Sequence, residues 1–136
     1  MGIVTCVLLL GVLPVRAAPP ELPADFYGTA RLAGMAIPAG ALLSAQINGV
    51  EYGSCVVLEH TEWGTVYHLT VVADDPDTPS IIEGGREGDP VVFVLQMPGQ
   101  RPYRALQVGT WHGATVNRLD LLFPAVVTLP LVVRGR

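Results

Sequence analysis

At 136 residues, half of them hydrophobic and 15% charged, the chain can hold one domain whose core folds without staples, and it is too apolar for intrinsic disorder. Its eight positive charges are all arginine, which excludes a lysine Schiff base. A net charge of −4 with no basic stripe leaves no electrostatic footprint for nucleic acid.

The chain opens on "MGIVTCVLLLGVLPVRAAPP". Ile3 to Val15 has the length of a signal h-region and falls far short of the roughly 20 residues that span a bilayer. Val15-Arg16-Ala17 places small or tolerated side chains where a signal peptidase needs them, so residues 1–17 are expected to be a signal peptide and the product secreted or held at the cell surface. The alternative is a buried N-terminal strand. With Cys6 removed alongside the signal, Cys55 stands alone and no internal disulfide forms. No membrane span is expected after signal removal.

Residues 18–25, rich in proline, read as a semi-rigid leader. From Phe26 to Phe123 the apolar pattern has the two-residue period of strands. Seven are expected: Phe26–Leu32, Ala41–Ile47, Val50–Leu58, Thr65–Ala73, Val91–Gln96, Tyr103–Val108 and Ala114–Phe123. Asn48-Gly49 has the chemistry of a two-residue hairpin loop, which needs positive φ at both positions. Short strands at this spacing predict an all-β fold, a single antiparallel β-sandwich of Ig-like or transthyretin-like kind over 26–124. Tyr67, Leu69 and Val71 fall on one strand face, as do Val91, Phe93 and Leu95. With Leu119, Leu121, Ala45, Ile47 and Val56 they form the predicted core. The tail, 125–136, is apolar but broken by Pro130 and too short to span a membrane.

"FYGTARLAGMAIPAGALLSAQINGVEYGS", "VYHLTVVADDPDTP", "EGGREGD" and "TWHGATVNRLDL" occur in this order. Together they resemble a module of secreted surface proteins from Chloroflexi-like bacteria, similar to transthyretin-like or carboxypeptidase-regulatory sandwiches. The likeness covers Phe26 to Leu121. "TLPLVVR", Thr128 to Arg134, resembles a terminal segment of the same exported proteins, with Thr128 in place of an aromatic. The resemblance implies a non-catalytic module and no defined ligand.

Few residues are placed for chemistry. No serine sits in a G-x-S-x-G elbow. A thiolate pair of Cys55 with His60, His68 or His112 runs against the strand interior that "SCVVL" predicts. "HTE" matches half of the zinc-deaminase signature and lacks the other half. Trp63 and Trp111 fall at turns, where an exposed ring can stack on a sugar; the alternative is that each plugs an end of the core, which the glycine turn after Trp111 favours.

Asp74 to Pro90 holds six carboxylates among prolines and glycines. Asp74, Asp75, Asp77, Glu87 and Asp89 are the hard oxygen donors calcium takes, but their spacing is not that of an EF-hand. The expectation is an ordered, solvated connector with at most a weak calcium site, and no other cofactor. As a pair of glycosidase acids these groups would need a cleft that a small sandwich does not offer. The expected function is therefore a secreted, non-enzymatic module with a structural or interaction role at the cell surface or extracellular matrix, its partner an extracellular protein or polysaccharide. The alternatives are a carbohydrate-binding module using Trp63 or Trp111 and, more distantly, a small hydrolase.

Overall fold

Two of the seven expected strands are each divided in two, so nine strands form among the described residues. The computed structural model describes residues 21–125, with Gly2 and Gly11. The expected signal peptide, the first part of the leader and the tail from 126 lie outside the described residues. The strands are β1 (Ala24–Leu32), β2 (Leu42–Ile47), β3 (Val50–Val56), β4 (Leu58–His60) and β5 (Gly64–Val71). They continue with β6 (Pro90–Gln96), β7 (Tyr103–Thr110), β8 (Val116–Arg118) and β9 (Leu121–Phe123). No helix among them is long and apolar enough to cross a membrane.

One sheet runs β4-β5-β1-β8, with β9 also on β1; the other runs β3-β2-β6-β7. The inner faces meet as a β-sandwich core of Phe26, Leu69 and Val71 against Leu43, Phe93 and Leu95, all essentially buried. Phe26 meets Phe93 edge to face, with ring centroids 5.3 Å apart. The period-two pattern predicts these faces correctly because each strand is wetted on one side only.

The first break falls in the run expected as Val50–Leu58. There the chain leaves the edge of one sheet and joins the edge of the other, and the Val57 N–H donates to the Ala41 carbonyl at the corner. The phase is set earlier, by a register shift between Ala45 and Gln46. Cys55 pairs with the buried Leu43 and Val56 with the exposed Leu42, and Val57 continues the inward phase of Cys55. Val57 is therefore buried, whereas Val56, expected in the core, is 51% exposed. Asn48 and Gly49 take φ of 52° and 79°, the left-handed pair a tight hairpin requires.

The second break divides the run expected as Ala114–Phe123. β8 and β9 both lie parallel to β1, so the sandwich is mixed rather than wholly antiparallel. Between them Leu119 and Asp120 bow outward beside Gly28. The Leu119 N–H donates to the Tyr27 carbonyl, and the Asp120 carboxylate accepts from the Thr29 N–H. A Cβ on Gly28 would lie 2.6 Å from the Leu119 carbonyl oxygen, so this approach demands glycine. Leu119, expected in the core, is only partly buried as a result.

Candidate functional site

The acidic loop, Trp111 and the Asn48-Gly49 hairpin gather at one end of the sandwich. Trp63 and the Pro38 and Pro98 turns lie at the other: Ile37 bonds the Thr65 hydroxyl, and Pro38 and Pro98 line one hollow.

At the first end, Trp111 is fully buried. Its indole N–H donates to the Val71 carbonyl at 3.2 Å, and its backbone bonds Asp89 and Gly88. Gly85 lies flat on the ring, where a Cβ would come within 2.4 Å of it. Trp111 is thus the core plug that its glycine turn favours, and as a candidate for ligand contact it is corrected, because its ring presents no face to a ligand.

The loop above it is ordered by its own carboxylates. Asp74 is buried, accepting from the Glu83 N–H at 2.7 Å and from the Arg86 guanidinium at 2.6 Å. These two bonds, the backbone N–H first, hold its carboxyl below the usual carboxylate range. Asp75 accepts from the Asp77 N–H, Glu83 from the Thr78 hydroxyl, and Asp89 from the Arg86 N–H. Glu87 pairs with the His112 ring and accepts from the Gly113 N–H, and His112 chiefly lowers its pKa. Among the described residues no three or more His, Cys, Asp or Glu side chains converge as metal ligands. A hollow of about 350 Å³ beside this loop is lined by Glu21, Asp74, Asp75, Arg86 and Glu87 together with prolines. Asp74 and Arg86, its closest-held pair, already satisfy each other.

The nucleophile candidates are dispersed. Cys55 is half-buried on β3, and desolvation pushes its thiol up against a smaller opposing bond from the His68 backbone. The His68 ring lies 3.9 Å from Asp25, His112 pairs with Glu87, and His60 stacks on Trp63.

That last contact belongs to a different surface, the outward face of the five-stranded sheet. Trp63 sits in the tight turn joining β4 to β5 and is 59% exposed. The His60 ring lies parallel to the indole, with centroids 4.2 Å apart and planes within 12°. The His60 Nδ1 accepts from the Glu62 N–H at 3.2 Å, which fixes the imidazole under the indole. Gly64 closes the turn at φ 72°.

A groove of about 300 Å³ extends from this stack across the sheet, lined by Tyr27, Thr29, His60, Trp63, Val66 and Arg118. Tyr27 and Thr29 alternate with the buried Phe26 and therefore point outward. Arg118 reaches the groove because β8 lies beside β1, in register with Tyr27. Tyr67 forms the floor: its hydroxyl donates to the Leu119 carbonyl at 2.5 Å, and burial, then the Asp120 charge, raises its pKa strongly. Tyr27, Val66 and Arg118 were not among the residues expected from sequence, which offers His60 only as a partner of Cys55 or within "HTE". Tyr27 and Val66 carried the signal of outward phase, whereas Arg118 needed the parallel pairing of β8.

Fold and groove together define an all-β sandwich with an exposed aromatic face. No family model matches the chain, and no curated protein matches it. Among solved structures it is similar to a chlorocatechol 1,2-dioxygenase from Pseudomonas putida, with a TM-score of 0.39 and 14% identity. That match covers 79% of this chain and 62% of the dioxygenase, so the chain spans less than two thirds of that enzyme's length. A likeness at this level assigns no activity.

Proposed function

We propose that the chain is a non-enzymatic module of the cell surface or extracellular matrix, exported by its N-terminal segment, that holds a partner on the outer face of its five-stranded sheet. The observation that carries this reading is the exposed Trp63–His60 stack at the head of a groove shared with Tyr27. An exposed indole is costly to leave in water, and fixing it on an imidazole removes rotamer freedom before any partner arrives. The raised Cys55 thiol and the scattered histidines favour binding over catalysis. The resemblance to secreted bacterial surface modules points the same way.

Of the partner classes, a polysaccharide fits this geometry best. Sugar rings offer an apolar face to an indole and hydroxyls to the flanking polar groups. A volume of about 300 Å³ lies at the lower end of ligand pockets. The test is a glycan and polysaccharide screen of the mature domain beside its Trp63→Ala variant. Binding that disappears with Trp63 supports the reading; binding unaffected by its loss overturns it.

A further inference from the structure

We infer that the groove is selective for acidic glycans, with Arg118 receiving the carboxylate of a uronic acid; this rests on the carbohydrate reading of the same groove. Arg118 is the one formally charged side chain lining it, in a chain whose net charge is −4. Its guanidinium is 67% exposed, and its carboxylate contact among the described residues is Asp120, at 3.6 Å. That is too long for a hydrogen bond, so the planar fork keeps donors in the bidentate geometry that carboxylates accept. Asp120 is meanwhile committed to the Thr29 N–H at 2.9 Å, and its pKa is lowered by that bond first. It holds Arg118 in place electrostatically without consuming its donors.

The sheet sets the length of the ligand. Arg118 stands beside Tyr27 on adjacent strands, one spacing of about 4.8 Å apart. Trp63 stands in the turn leading into β5, two strand spacings or about 10 Å across the sheet from β8 and farther along it, beyond the Thr29–Val66 pair. A ring over Tyr27 brings its carboxylate to Arg118, and a ring farther along the same chain then reaches Trp63. The groove therefore takes an oligosaccharide in which a uronic acid adjoins at least one further sugar.

The experiment compares oligogalacturonides and glucuronic acid-containing oligosaccharides with their methyl esters, which keep the rings and remove the charge. Calorimetry is run on the wild-type domain, Arg118→Gln and Trp63→Ala, each shown by melting to be folded. Expected is about tenfold tighter binding of an acid over its ester, lost in Arg118→Gln and weakened by added salt. Trp63→Ala should weaken both forms. Equal, Trp63-dependent binding of acid and ester would overturn the acidic selectivity and leave the glycan reading standing. A preference surviving in Arg118→Gln would overturn the assignment to Arg118. Absence of binding by acid, ester and the wider glycan screen alike would overturn both.

Discussion

The Asp120 carboxylate accepts the Thr29 backbone N–H at 2.9 Å, standing in for a strand carbonyl where β1 passes from its β8 partner to its β9 partner. The chain of Leu119 and Asp120 crosses above Gly28, and the same bow supplies the carbonyl that anchors the Tyr67 hydroxyl. One irregularity thus fixes both the floor of the groove and the position of Arg118 at its rim.

Gly28→Ala tests that bow. A methyl group 2.6 Å from a carbonyl oxygen must displace backbone, so the fold should lose about 1–3 kcal/mol. Denaturant unfolding measures this; an unchanged midpoint would mean that Leu119 and Asp120 do not lie against β1.

The two tryptophans should behave oppositely. Trp111→Ala removes a fully buried indole and should cost about 3–5 kcal/mol, while Trp63→Ala on the surface should cost less than about 1 kcal/mol. Thermal melting of the two variants checks the contrast, and similar losses would contradict it.

How far the sequence foretold this follows from what each feature depends on. The Asn48-Gly49 hairpin is legible because two adjacent positive φ values leave few residue choices, and the faces of β5 and β6 are legible because alternation persists along them. The change of sheet at Val57 is not, since "CVVLE" reads as one continuous strand whichever sheet it joins. Nor is the parallel pairing of β8: strict alternation makes the first and last of seven strands co-directional, but nothing local says that they are neighbours. Trp63 was therefore identifiable as a candidate, while its groove partner Arg118 was not. Trp111 was half legible: the glycine turn after it favours the core plug, but the cover over its ring comes from Gly85, distant in sequence.

Stability should fall in acid. Asp74 and Asp120 both have folded pKa values lowered by backbone N–H donors, from Glu83 and Thr29 respectively. Their contribution is complete above the unfolded carboxylate value of about 3.9 and is lost as pH drops through the folded values beneath it. Denaturant midpoints measured from pH 7 downward should decline below about pH 4, and Asp120→Asn should flatten that decline. A decline of equal slope in the variant would contradict the role of this carboxylate.

Calcium should bind the Asp74–Pro90 loop weakly. Its carboxylates are engaged in turn hydrogen bonds and one arginine pair, and a metal would have to break these. Calorimetric titration should give nothing tighter than about 10⁻⁵ M; tighter binding would mean the loop rearranges into a cage.

The central claim is that the partner is held over Trp63, and its most direct measurement uses the two indole N–H signals of an amide-correlated NMR spectrum. Titrating the mature domain with an acidic oligosaccharide should shift the Trp63 signal and leave that of the buried Trp111 in place. Movement of the Trp111 signal alone, or of neither across the glycan panel, would contradict the account.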